Sequence, residues 1–229
     1  MLNFIIAKIP IITYMASLIL IVPIFTGAIN VKTIKTSPLF IIFLYCIIYG
    51  VFELVAWYYA LNGLQNHFLS NIVTYLDVLS FGTYYYLIIS KPLNNRFILG
   101  IILIALTVIL WSHFATNRDY NRIDSFALSI QNIALIMMVL IFFYQLLHGL
   151  ETKNLLEYSH FWIGIAVLVY FSIIFFLNIF AEYITFNKDT AFAQSYWQIK
   201  EYLTFFQRIF LAIGLWFSKT PQQLSPSSK

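Results

Sequence analysis

Seven runs of mostly apolar residues, each about the length that crosses a bilayer, follow one another along this chain with only short polar breaks. A helical span needs roughly 20 residues to cross about 30 Å of hydrocarbon. The runs cover residues 9–29, 39–60, 69–90, 97–113, 126–148, 161–181 and 197–217, the fourth being the shortest and least polar. They predict an all-α polytopic membrane protein, a seven-transmembrane helix bundle over residues 1–218. The stretch 219–229, "KTPQQLSPSSK", is polar and proline-containing and is expected to be a disordered cytoplasmic tail. Composition excludes the soluble alternative. Only 10% of residues are charged, against about a quarter in a soluble domain, too few to build a surface facing water.

The opening "MLNFIIAKIPIITYMASLILIVPIF" lacks a strongly basic start and a small-x-small cleavage pattern, so it reads as a retained first span. No lipidation signal or organelle address is present. Cys46 is the only cysteine, which excludes an intramolecular disulfide, and its apolar setting suits a small hydrophobe. The net charge of +4 is too small and too dispersed for a nucleic-acid partner. No internal repeat, inverted half or soluble catalytic domain is visible, so any function must reside in the bundle.

The breaks carry helix-ending residues: "NVKTIKTSP", "LNGLQNH", "SKPLNNR", "ATNRDYNRIDS", "GLETKNLLEYS" and "EYITFNKDTAFAQS". Asp124 or Ser125 is placed to cap the fifth helix. Lysine and arginine near span ends orient the chain, because cytoplasmic loops are enriched in both. Lys32, Lys35, Lys91, Arg96, Lys153, Lys219 and Lys229 fall on one side, and Lys8, Arg118, Arg122, Lys188 and Lys200 on the other. The first set is read as cytoplasmic, which puts the N-terminus outside and the C-terminus inside the cell inner membrane.

Within the spans the expensive residues are few. An in-membrane charge costs about 2.5–3.5 kcal/mol on insertion scales and tends to face the bundle interior. Glu53, in "VFELVAWYYA", and Asp77 both lie roughly 10–12 Å below the outer boundary at helical rise. Ser70, Thr74 and Asp77 share a helix face by their spacing, as do Ser125, Ser129 and Asn132, with Gln131 alongside. Asn178 and Glu182 repeat the spacing in the sixth run, and Glu201, Thr204 and Arg208 in the seventh, with Lys200 beside them. Tyr49 precedes Glu53 by one turn. Five of the runs therefore carry a polar stripe in the outer half, while the inner halves are mostly Ile, Leu, Val and Phe.

These stripes are expected to converge on a ligand pocket open to the outside, formed by Glu53, Asp77, Asn132, Asn178, Glu201 and Arg208. A purely structural ion pair of Arg208 with Glu53 or Asp77 is the alternative. Single Asn, Ser or Thr residues in spans are commonly interhelical glue. Trp57, Tyr58, Tyr59, Tyr84, Tyr85, Tyr86, Tyr196, Trp197 and Tyr202 are read mostly as interfacial belt residues.

Other chemistries are disfavoured. His67 and His113 fall at one membrane face and His148 and His160 at the other, so no three can meet one zinc ion. Lys200 is too near the end of its run for a retinal Schiff base, and the mid-span position is Arg208. No GxSxG is present. No metal and no cofactor is expected.

The stretch "FELVAWYYALNGLQNHFLSNIVTYLDVLSF", followed by "HFWIGIAVLVYFS", resembles a loose group of uncharacterised bacterial seven-helix integral membrane proteins. The resemblance implies an inner-membrane bundle working beside a sensory kinase or similar effector, and no assigned reaction. The functional expectation is a sensory, ligand-binding module acting through a separate signalling or membrane-complex partner, with the lipid bilayer around it. Three rivals stay open: a small transporter or channel using Glu53 and Asp77, an intramembrane lipid hydrolase using the same two acids, and a scaffold.

Overall fold

The computed structural model describes residues 10–89, 92–115, 122–148, 154–187 and 190–219, and among them every regular element is helical. The long helices are α1 (Ile11–Ile29, interrupted at Leu20), α2 (Leu39–Leu61), α3 (His67–Ile88), α4 (Pro92–Ala115), α5 (Ser125–His148), α6 (Ser159–Ile179) and α7 (Thr190–Trp216). Five helices, Ile11–Ile29, Leu39–Leu61, Asn94–Phe114, Ser125–His148 and Ser159–Ile179, are long and apolar enough to cross a membrane. The chain thus has the make-up of an all-helical, multi-pass membrane protein.

The other two long helices owe their polarity to their place in the packing. α3 packs on α2, α4 and α5, while α7 packs on α6, on both halves of α1, and on α2. A helix with protein on most sides presents little surface to lipid and can carry polar groups inward. Accordingly Asn71, Thr74 and Asp77 of α3 are buried, as are Thr204, Gln207 and Arg208 of α7. The outward-facing residues are the apolar ones: Ile11 is 77% exposed and Leu54 72%. Polar residues inside and bare aliphatics outside is the distribution expected of a bilayer-embedded surface.

Local chemistry sets the boundaries that matter for the site. Pro23 has no N–H and its ring crowds the carbonyl four residues earlier, and α1 is interrupted at Leu20 accordingly. There the Leu20 N–H turns to Ser17 O at 3.3 Å. α2 ends in a Schellman motif: Gly63 has φ +69°, and the N–H groups of Gly63 and Leu64 donate to Ala60 O and Tyr59 O at 3.1 and 2.9 Å. Asp124 is the N-cap of α5, its Oδ1 accepting from the N–H groups of Phe126 and Ala127 at 3.1 and 3.0 Å.

Three sequence expectations need correction. The fourth run is not short: α4 has 24 residues, starting at Pro92, a residue suited to the first helical position. The stretch taken as a loop before the seventh run is helical over Ala181–Asn187 and again from Thr190. Tyr84, Tyr85 and Tyr196 are not belt residues. The first two are fully buried and the third nearly so; Tyr84 finds a polar partner inside, His160 Nδ1, at 2.7 Å from its hydroxyl, and the Tyr196 hydroxyl donates to Leu177 O at 3.0 Å. Tyr58 at 65% and Tyr202 at 53% remain exposed. Residues 220–229 and the side chain of Glu182 lie outside what is described, as do Lys8, Lys91, Arg118, Lys153 and Lys188.

Candidate functional site

The break in α1 has a second effect. With the Leu20 N–H directed to Ser17, the carbonyl of Ala16 is left without that donor, and Arg208 of α7 supplies one through Nη1. The same guanidinium grips Glu53 of α2, Nη2 to Oε2 at 2.6 Å and Nη1 to Oε1 at 3.3 Å. Ser17 Oγ donates to Glu53 Oε1 at 2.7 Å and accepts from Trp57 Nε1 at 3.0 Å. The face of Tyr49 lies 5.3 Å from the guanidinium carbon. Three helices, α1, α2 and α7, are therefore tied through one buried arginine. At the opposite end of the α1–α7 seam, Asn30 Nδ2 donates to Leu215 O at 3.1 Å.

This clamp forms part of the wall of a cavity of about 350 Å³. All six residues singled out from the sequence line it: Glu53, Asp77, Asn132, Asn178, Glu201 and Arg208. Glu53 and Asn178 come from the C-terminal halves of α2 and α6, Asn132 and Glu201 from the N-terminal halves of α5 and α7, Asp77 from the middle of α3, and Arg208 from beyond the middle of α7. Alternating helices thus bring these positions together in one half of the bundle. Ser70, Val73, Thr74 and Asp77 give the α3 wall, a face repeating at helical spacing. Ser125 and Ser129 are not on the wall. Ser129 instead bonds the carbonyl of Ser125 at 2.7 Å.

Glu53 and Asp77 occupy different environments on that wall. Glu53 is paired with Arg208. Among the described residues Asp77 has no cation within ion-pairing distance; it is held by Gln131, whose Nε2 donates to Oδ2 at 2.5 Å, with the Tyr45 side chain beside it. Its other oxygen, Oδ1, is buried without a hydrogen-bond partner, and so are Gln131 Oε1, Asn132 Nδ2 and Gln207 Nε2. A buried polar atom left unpaired costs about 1–3 kcal/mol. Four such atoms on residues that line one cavity are the signature of a site completed by water or a ligand. Lys200 also lines the cavity, with Nζ 5.0 Å from the centre of the Trp197 ring. A second cavity of about 600 Å³, between Pro10 and Thr13 of the α1 end and the first turns of α7, shares Trp197 and Glu201 with the first.

Sequence reasoning missed several members of this site. Lys200, placed beside the α7 stripe but not among the pocket residues, lines the wall, and so do Gln207, Tyr45 and Tyr170, which the sequence did not single out. The signal was available for Lys200 and Gln207: with Glu201, Thr204 and Arg208 they complete one face of α7. Ser17 was unremarkable as a lone serine in an apolar run.

The histidines are dispersed. His67 lines the cavity, and His113 Nδ1 shares a 2.6 Å hydrogen bond with the Tyr75 hydroxyl. His113 Nε2 stands 3.7 Å from Asp124 Oδ2, an oxygen that also accepts from Ser112 Oγ at 2.5 Å. His160 is buried with Tyr84 at the far end, so the inner half is less purely aliphatic than the sequence suggested.

Chemically, the wall offers a fixed ion pair, an acid on an amide, one further acid, one further cation and an aromatic lining. That is equipment for binding a small polar molecule within a membrane-type helical bundle. No protein-family model, curated protein or solved structure matches the chain.

Proposed function

We propose that this chain is a seven-span protein of the bacterial inner membrane, N-terminus outside and C-terminus cytoplasmic, that binds a small polar molecule in this cavity and signals through a separate partner protein. The observation carrying the reading is that unpaired buried polar atoms of α3, α5 and α7 belong to residues that line one cavity. At 22 and 27 residues, α3 and α7 are long enough to span beside the five apolar helices. The orientation rests on the lysine and arginine bias.

Signalling needs a ligand whose affinity differs between two helix arrangements. The Arg208 clamp supplies a candidate element, since a ligand drawing on Glu53 or Arg208 competes with the tie that holds α1 and α2 to α7. The test is thermal unfolding of the purified protein in neutral detergent against small amines, amino acids, sugars and carboxylates. At least one class should raise the melting temperature saturably in the native chain and not in Asn132→Phe, which fills the cavity. Stabilisation by no class, or the same stabilisation in the filled variant, refutes the reading.

A transporter is the second reading. It is favoured by the adjoining cavity, which shares Trp197 and Glu201 with the first, and by Asp77, an acid with no cation partner among the described residues. Proton-dependent uptake into proteoliposomes, absent in Asp77→Asn, would select it. The hydrolase is less supported, because Arg208 withholds Glu53 from acid–base work with Asp77.

A further inference from the structure

The ligand class can be read from the charges and orphaned atoms of the cavity, given the binding role proposed above. Glu53 is neutralised by Arg208 at 2.6 Å. What remains on the wall is Asp77, Glu201 and Lys200, an excess of one negative charge when both acids are ionised. An anionic ligand would add to that excess in a site where charges are poorly screened. A neutral one would leave the Asp77 carboxylate uncompensated.

The orphaned atoms are more specific. Because Asp77 Oδ2 can only accept when ionised, Gln131 must present its NH2 to it, which fixes the amide oxygen on the other side. Asp77 Oδ1 and Gln131 Oε1 are then two acceptors on one hydrogen-bonded pair, both without donors. Asn132 Nδ2 and Gln207 Nε2 are two donors without acceptors. Aromatic side chains complete the wall, among them Tyr45, Tyr170 and Trp197. Trp197 already carries one ammonium, that of Lys200, at 5.0 Å, so cation–aromatic contact operates in this cavity.

We propose that the cavity receives a small primary amine in its ammonium form, donating to Asp77 Oδ1 and Gln131 Oε1, with an uncharged oxygen on the same molecule accepting from Asn132 or Gln207. Lys200 repels the ammonium from the Trp197 end and so sets its direction. At interior packing density the 350 Å³ volume accommodates a molecule of roughly a dozen non-hydrogen atoms.

Three probes carrying the same para-hydroxyphenyl-ethyl unit separate the possibilities in the unaltered protein: tyramine (ammonium), tyrosol (neutral) and tyrosine (tyramine with an added carboxylate, a zwitterion). Each is titrated at constant sodium chloride during thermal unfolding in neutral detergent. Tyramine should stabilise saturably, with at least a tenfold lower apparent Kd than tyrosol or tyrosine. Asp77→Asn should weaken tyramine at least tenfold and leave tyrosol unchanged, and Lys200→Gln should retain tyramine binding. Equal binding of tyramine and tyrosol overturns the ammonium assignment. Tighter binding of tyrosine, lost in Lys200→Gln, replaces it with a zwitterion. Saturable stabilisation by sodium that excludes tyramine replaces it with an inorganic cation. If all three probes fail while another class in the broader panel binds, the amine is wrong and the binding role stands. If every class fails, the binding role falls as well.

Discussion

The clamp at Arg208 lends itself to a double-mutant cycle. Arg208→Met removes two bonds to Glu53 and one to Ala16 O, leaving the Glu53 carboxylate with Ser17 as its remaining partner. Removing one member of a buried ion pair costs about 3–5 kcal/mol. The guanidinium is 4% exposed and the carboxylate 18%, so the lower part of that range applies. Glu53→Gln keeps an acceptor for Ser17 and strips Arg208 of its counter-charge, while Ala16 O and the Tyr49 face still hold the guanidinium. It should cost about 2 kcal/mol, within the range for hydrogen bonds to charged groups. Combining the two removes both charges together. The pair should then be less damaging than the sum by about 2 kcal/mol, the coupling expected of residues in direct contact. In a chain of this size one kcal/mol moves the melting temperature by about 2–4 °C. The double variant should therefore melt about 4–8 °C above the additive value in detergent micelles. Additivity within about 0.5 kcal/mol would mean that Glu53 and Arg208 do not share the contact, and the account of the α1–α2–α7 tie would fail.

Two further perturbations probe the scaffold. Asp124→Ala removes the cap of α5 together with the acceptor for Ser112. It should lower stability by about 1–2 kcal/mol, with faster amide exchange at Phe126 and Ala127 by mass spectrometry; unchanged exchange there would refute the capping role. Gly27→Ala drives a Cβ into the Phe43 ring. Overpacking of this kind costs about 1–3 kcal/mol, read as a lower melting temperature, and an unshifted transition would refute close packing of α1 on α2 at that point.

The parts of the fold written in apolar residues were legible. The seven runs fall on long helices, and five of these are apolar enough to cross a membrane, because a stretch facing lipid must be apolar nearly throughout and hydropathy reports that directly. The beginning of α7 was not legible. Thr190, Gln194, Ser195 and Gln198 dilute its hydropathy, yet an amphipathic helix tolerates polar residues on one face. The cavity residues were visible for the opposite reason: Glu53, Asp77 and Arg208 cost too much in lipid to be incidental. Amides and tyrosines do not stand out in this way. Gln207 and Tyr170 resemble ordinary interhelical contacts until the neighbouring helices are in place. Pairing was equally hidden, since nothing along the chain says that Arg208 takes Glu53 and leaves Asp77 to Gln131.

The clamp also has a consequence for biosynthesis. Its members are separated by 155 residues between Glu53 and Arg208 and by 192 between Ala16 and Arg208. A ribosome adds about 5–20 residues per second, so α1 and α2 wait in the membrane for roughly 10–30 s before α7 emerges. Through that interval the carboxylate has Ser17 and no cation. A chain that stops short of α7 keeps that defect permanently and leaves the seam beside α1 open. The tie among α1, α2 and α7 therefore closes late, and the order of synthesis leaves Glu53 without its counter-charge until Arg208 has been made.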